Sequence, residues 1–386
     1  MSLLPLGVFI ALLNSPSCLD EEERSADRST QQRHTPMIRG FHERDSNHDG
    51  SLTPDELPPA MRANFLKVDA DGDGRISLRE HISFLSVRKP KSTKQSASRR
   101  LWKIDKGLAY RIGDHEKHTL DIYRAPPFDH PKPLVIWIHG GGWRNGSSSN
   151  CPITELAEQG FVVASINYRL SQHAIFPAQI HDCQDAVRWL RRNHQRFGID
   201  PMRFGAWGAS AGGHLASLLG TASEAFPTAS PDSDGTVSAA VQAVCDWYGP
   251  VDLLQMNAHA GTSGTLDHDA PDSPESQLLG GPLQSRRKLA ELASPLKWIS
   301  ADTPPFLIVH GEEDPLVSVK QSELLHQSLV AAGIPSEFIS VPMAKHGGFS
   351  DPRIRQRCFR FFVETLITSD NPNSRPQPAG RHASGK

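Results

Sequence analysis

The chain carries a serine framed by glycines, Gly208 to Gly212, inside the run "FGAWGASAGGHLA". A Gly-x-Ser-x-Gly pattern suits a nucleophile when a strand precedes it and a helix follows, because small residues let the turn pack tightly and leave the hydroxyl standing clear. Both contexts are expected: "RFGAWG" reads as a buried strand and "AGGHLASLLG" as a helix. A hydroxyl attacks poorly unless a base takes its proton and a third group orients that base. The order serine, acid, histidine is met by Asp314 in "FLIVHGEEDPLV" and His346 in "ISVPMAKHGGF", each just beyond an apolar run. Glu312 and Glu313 are rival acids, and His139 and His310 read better as loop-shaping residues than as the base. Upstream, "HGGGW" at 139–143 follows the apolar run "PLVIWI". Its glycines let backbone N–H groups converge on an oxyanion, and the expected donors are those of Gly141, Gly142 and Ala211. The chemistry implied is acyl transfer through Ser210, for which no cofactor is required.

A second set of groups binds rather than reacts. "FHERDSNHDGSLTPDE" and "FLKVDADGDGRISLRE" repeat within residues 36–85 and match the EF-hand pattern D-x-[DN]-x-[DN]-G-x5-E at every specified place. The first loop offers Asp45, Asn47, Asp49 and Glu56, with Ser51 contributing its carbonyl; the second offers Asp69, Asp71, Asp73 and Glu80, with Arg75 contributing its carbonyl. Calcium takes six to eight hard oxygens, which alternate side chains and a closing bidentate glutamate supply. Gly50 and Gly74 make the sharp turns, and Leu52 and Ile76 are expected to pair between the loops. Pro54, Pro58 and Pro59 crowd the first exit helix, which favours a structural or anchoring module over a sensor that opens a groove.

The elements that must hold the reactive set follow a different grammar. Beyond the basic, serine-rich stretch "RKPKSTKQSASRR" at 88–100, short apolar runs alternate with amphipathic stretches such as 179–194 and 319–332. That alternation predicts an α/β fold over 101–368, a mostly parallel sheet covered by helices on both faces, preceded by a small all-α EF-hand pair over 36–87. Residues 88–100 read as a linker, and 369–386 lack the apolar content to fold. The irregular segment 255–297, rich in Gly, Ser, Asp and Pro, is expected to cross the mouth of the site as a small cap. Trp143, Trp247 and Tyr248 are candidates for substrate contact, with core packing the alternative for the last two.

Composition limits the partners. Lys and Arg total 41 against 43 Asp and Glu, which leaves no basic excess for nucleic acid. Residues 1–19 hold an apolar run of about ten residues, too short for a membrane span, and read as a signal peptide despite lacking a basic start. An exported protein, periplasmic, surface-bound or secreted, is the expectation. Five cysteines do not make a disulfide framework; of Cys151, Cys183, Cys245 and Cys358, a bridge such as Cys151 to Cys183 is permissible after export, and buried free thiols are the alternative.

Taken in order, "HGGGW", "NYRLSQHAIFPAQIHDCQDAVRWLR", "GASAGGHLA", "SPESQLLGG", "PPFLIVHGEEDPLV" and "KHGGF" span 101–368, which resembles an α/β-hydrolase of the hormone-sensitive-lipase-like esterase group. Within it the chain is most similar to the bifunctional feruloyl/acetyl-xylan esterase family. The resemblance implies a Ser210, Asp314 and His346 triad that hydrolyses carboxylic esters, with acylated plant-type polysaccharide as the substrate. An EF-hand pair ahead of the hydrolase departs from that family's core pattern. The alternatives are a serine peptidase on the same fold, and a calcium-dependent surface-binding protein whose hydrolase domain is inactive.

Overall fold

A computed structural model of the chain describes residues 41, 44–47, 49–58, 62, 65–69, 73–77, 80–81, 102–111, 113, 115–226, 237–260 and 264–368. The expected leader at 1–19, the linker at 88–100, the tail at 369–386 and the candidate ligand Asp71 lie outside the described residues. The chain divides into two compact units, residues 1–96 and 97–386.

In the first unit, β1 (Ser51–Leu52) pairs antiparallel with β2 (Ile76–Ser77), setting Leu52 opposite Ile76. Among the described residues this short ladder is the strand pairing found in a pair expected as all-α, and it falls where the two loops must be coupled. Phe41, Leu52, Leu57, Phe65, Val68 and Ile76 are buried together beneath it.

The second unit is built on an eight-stranded sheet. Its strands are β3 (Lys103–Ala109), β4 (Thr119–Arg124), β5 (Lys132–Ile138), β6 (Val162–Ile166), β7 (Ile199–Ala209), β8 (Ala243–Trp247), β9 (Phe306–Gly311) and β10 (Ser336–Val341). They lie in the order β10-β9-β8-β7-β5-β6-β4-β3. The six from β5 to β10 run parallel, and each falls on one of the apolar runs. The edge pair β3 and β4 runs antiparallel to its neighbours and has no counterpart among those runs. In β3, "KIDKGLA" is largely exposed, so polar residues fill positions that a buried strand would give to Val or Ile.

Side chains of a strand alternate between the faces, and the core divides accordingly. Leu134, Ile136, Phe204, Ala206, Val244 and Ile308 face one apolar layer with α1 (Ala178–Arg192), α2 (Ala211–Thr221) and part of α5 (Val319–Ala331). Ala186, Val187 and Leu190 supply the sheet-facing side of α1. Val135, Trp137, Trp207, Cys245, Leu307 and Val309 face the other layer, which Cys358, Phe361 and Phe362 of α6 (Pro352–Leu366) cover. Fully burying one large side chain such as Phe362 contributes about 1.5–3 kcal/mol, so the two layers fix the strand register that the loops inherit. The described parts of segment 255–297, residues 255–260 and 264–297, include short helical turns, among them α3 (Pro274–Leu279) and α4 (Arg287–Ala293). Among the described residues no helix is long and apolar enough to cross a membrane.

Candidate active site

Parallel strands deliver their following loops to one end of a sheet, and a ligand site forms there between neighbours. Ser210 follows β7, "HGGGW" follows β5, Tyr248 follows β8, Asp314 follows β9 and His346 follows β10. Ser210 sits at φ 57° and ψ −123°, a sparsely populated conformation that the surroundings enforce. Its N–H donates to the carbonyl of Trp247 at 2.8 Å, while His214 N–H closes the first turn of α2 on the Ser210 carbonyl at 3.0 Å. A Cβ on Gly208 would stand 2.0 Å from the Gly212 carbonyl oxygen, and one on Gly212 would stand 2.1 Å from that of Ile138. Both glycines are therefore demanded by backbone packing against backbone.

His346 Nε2 lies 2.9 Å from Ser210 Oγ, and His346 Nδ1 lies 2.7 Å from Asp314 Oδ2. With Nδ1–H donated to the carboxylate, Nε2 is left to accept from the serine hydroxyl. Asp314 Oδ1 accepts from the N–H groups of Leu316 and Val317, both at 2.9 Å, and Oδ2 also lies 3.2 Å from His310 Nε2. Burial works against ionisation of this carboxyl, but the hydrogen bonds from His310 and His346, the imidazole charge and the Val317 N–H hold it well below the usual carboxylate range. His310 is fixed by Ser322 Oγ at 2.7 Å and the Val317 carbonyl at 2.8 Å. Glu312 instead accepts from Ser340 Oγ.

Gly141 and Gly142 take φ values of 113° and 59°, in a turn closed by the N–H groups of Arg144 and Asn145 on the Gly141 carbonyl. Among the described residues the N–H groups of Gly141, Gly142 and Ala211 donate to no protein acceptor. They line, with Ser210 and His346, a cavity of about 780 Å³. His139 stacks on Tyr168 at 4.5 Å, and burial pushes its imidazole down to about 4.

The three aromatic candidates all line this cavity, each with a further attachment. Trp143 is 2% exposed and stands edge-on to His214. Trp247 turns Nε1–H toward Cys358 Sγ at 3.4 Å in the second core layer. Tyr248, at φ 46°, packs edge-on against the His346 ring at 4.6 Å, and burial pushes its hydroxyl up to about 12. It thus stays a neutral phenol beside the imidazole. Three polar residues escape a reading of the sequence. Asp246, fully buried, accepts from Ser217 Oγ at 2.6 Å and Gly249 N–H at 2.8 Å, bracing the turn that carries Tyr248; burial raises its carboxyl. His268 and Glu275, from the expected cap, form a buried pair at 2.9 Å in the cavity wall. A carboxylate inside an apolar strand was the available signal for Asp246; nothing local marks the other pair.

In the first unit Gly50 and Gly74 take matching left-handed φ values of 82° and 81°. Asp45 accepts from Gly50 N–H at 3.0 Å and Asp69 from Gly74 N–H at 3.1 Å, both carboxylates being buried. Glu56 accepts from Thr53 N–H at 2.9 Å and Glu80 from Ser77 N–H at 2.8 Å. Asn47 Nδ2 and Ser51 Oγ donate to Asp49, Arg75 reaches Asp49 Oδ2 at 2.8 Å, and Arg75 N–H donates to Asp73. Among the described residues no three His, Cys, Asp or Glu side chains gather into a metal cage. The donors are nonetheless hard oxygens on a repeated turn, which is the chemistry calcium requires.

A serine at a tight strand-to-helix turn, with its partners on the following parallel strands, defines an α/β-hydrolase. The BD-FAE family model matches residues 120–329, more than half of the chain, and the chain belongs to that family. An EF hand model matches residues 61–84. The chain is 32% identical over 257 residues to "Esterase LipQ" of Mycobacterium tuberculosis, covering 65% of this chain and 58% of that protein. It spans only 58% to 61% of the length of the first curated relatives, which are named esterases or carboxylic ester hydrolases. Among solved structures it is similar to a truncated carbohydrate esterase from gut microbiota, with TM-score 0.61, 31% identity and coverage of 68% of this chain and 96% of that one. An acetyl ester-xyloside bifunctional hydrolase from Caldicellulosiruptor lactoaceticus matches with TM-score 0.54, 26% identity and coverage of 64% and 87%.

Proposed function

We propose that the chain is a serine carboxylesterase acting on acetyl or feruloyl esters of polysaccharides. The observation that carries this is the line from Ser210 Oγ through His346 to Asp314, at 2.9 and 2.7 Å, beside backbone N–H groups with no other acceptor. Ser210 Oγ bonds to the acyl carbon as His346 Nε2 takes its proton. The carbonyl oxygen becomes an oxyanion met by the N–H groups of Gly141, Gly142 and Ala211. Collapse breaks the ester C–O bond, and the proton on His346 passes to the leaving alkoxide. A water, deprotonated by the same nitrogen, then releases the acid and restores Ser210.

The polysaccharide part of the proposal draws support from the carbohydrate and acetyl-xyloside enzymes the chain is similar to. The domain arrangement proposed is an exported chain with a signal peptide at 1–19, an EF-hand pair at 36–87, a linker at 88–100 and the hydrolase at 101–368. In the EF-hand pair, Asp45, Asn47, Asp49, Glu56 and the Ser51 carbonyl would hold one calcium ion. Asp69, Asp71, Asp73, Glu80 and the Arg75 carbonyl would hold the other. Calcium bound there supplies charge that crosslinks the loops, and takes no part in ester cleavage.

One experiment tests both halves. Acetylated xylan, methyl ferulate and longer-chain esters are assayed with and without a chelator, and proteolysis within 36–85 is followed in parallel. Chelation is expected to open 36–85 to protease while ester turnover changes less than about twofold, because the reactive groups all belong to the second unit. Immediate loss of turnover would require calcium at the catalytic end.

A further inference from the structure

Arg144 follows "HGGGW" directly, and its backbone is fixed on both sides. Its N–H donates to the Gly141 carbonyl at 3.0 Å, and its own carbonyl accepts from Gln172 Nε2 at 3.0 Å. One residue back, the Trp143 carbonyl accepts from Ser171 N–H at 2.8 Å and from Ser171 Oγ at 3.2 Å. The turn that presents the Gly141 and Gly142 N–H groups therefore also presents this arginine. The residue is exposed, lines the cavity that holds Ser210, and folds back along the turn, with Nε 3.8 Å from where a Cβ on Gly142 would stand.

Its charge has no answer within the protein. Among the described residues the Arg144 guanidinium meets no carboxylate and no hydrogen-bond acceptor. The neighbouring charged groups are occupied: Glu275 Oε1 lies 2.9 Å from His268 Nδ1 in the cavity wall, and Asp314 Oδ2 lies 2.7 Å from His346 Nδ1 and 3.2 Å from His310 Nε2. A cation left open to an incoming ligand in a cleft attracts anions, because the protein walls focus its field. A guanidinium is also a planar fork of N–H donors that matches the two oxygens of a carboxylate.

We propose that Arg144 is a specificity-determining residue that pairs with a carboxylate carried by the ester substrate, so that the enzyme favours anionic esters over neutral ones. This rests on the serine-esterase reading above and deepens it. For a polysaccharide substrate the carboxylate is that of a uronic acid near the acyl group; on the acyl side it is that of a dicarboxylic half-ester.

The test has one arm for each source. Fully acetylated methyl glucuronoside with its carboxylate free is compared with fully acetylated methyl xyloside, which lacks only that group, and monoethyl succinate is compared with ethyl butyrate. In one arm the wild type should show the higher kcat/KM for the anionic member, and that arm names the source. Arg144→Gln should lower this anionic-to-neutral ratio about tenfold, mainly through KM, the lower end for a hydrogen bond to a charged group. Arg144→Lys, which keeps the charge and loses the fork, should fall between. Raising the salt from roughly 0.05 to 0.5 M should shrink the wild-type preference and leave the Arg144→Gln ratio unmoved. A merely structural role in the turn lowers both members of a pair in proportion, so a ratio unchanged by Arg144→Gln in both arms overturns the proposal. A wild type that cleaves none of the four esters removes the esterase reading and the proposal with it.

Discussion

Ser210→Ala is expected to lower kcat for p-nitrophenyl acetate by roughly 10⁴- to 10⁶-fold, the loss typical when the nucleophile of an interdependent triad is removed. The size follows from geometry. His346 Nε2 has its hydrogen bond to Ser210 Oγ and its other nitrogen bonded to Asp314, so without the hydroxyl the base has no proton to take. Binding should survive, because the cavity walls and the N–H groups of Gly141, Gly142 and Ala211 are untouched. Turnover, KM and the melting temperature measured together check this. A variant that kept a tenth of the wild-type turnover would mean that another group attacks the ester.

Asp314→Asn should cost about 10⁴-fold in kcat near neutral pH, with little change in KM. An asparagine can present NH2 toward His346 Nδ1, which favours the tautomer whose proton sits on Nε2 and points at Ser210. The base is then occupied before the reaction begins. The carboxylate also contributes to stability, and its sign is set by its lowered pKa. A group depressed below its unfolded value of about 3.9 stabilises the fold above that pH and loses the contribution as pH falls through the folded value. The wild type should therefore shed this stabilisation only in strong acid, whereas Asp314→Asn lacks it throughout. Unfolding followed from pH 7 down to pH 2 in both proteins measures the difference. A loss of less than tenfold in kcat would assign the orienting role elsewhere.

The inner parallel strands β5 to β9 are legible because their central residues are buried on both faces, leaving an unbroken apolar run bounded by polar turns, while the half-buried edge strand β10 shows only a short apolar run. Ser210, Asp314 and His346 are legible for a related reason: each sits within five residues of the end of such a run. The edge strand β3 is not, since its exposed residues carry Lys and Asp where a core strand could not. The neighbours of His346 are equally hidden. Tyr248 meets its ring only because β8 and β10 are held in register on either side of β9, a relation that no local spacing encodes. His268 and Glu275 are seven positions apart on a connecting segment, and their meeting depends on how that segment folds over the cavity. Asp71 and the remaining undescribed parts of the EF-hand pair are known from their pattern alone.

The hydrogen bond between Ser210 and His346 joins residues 136 positions apart, and β10 must dock at the sheet edge before it can form. Contacts so distant along the chain form late, because the intervening loop entropy must first be overcome. During synthesis the serine turn and the glycine loop emerge well ahead of the histidine. On the mechanism proposed above, the growing polypeptide stays hydrolytically silent until its final strand has been made and seated, and competence to cleave an ester would report that the whole sheet is finished.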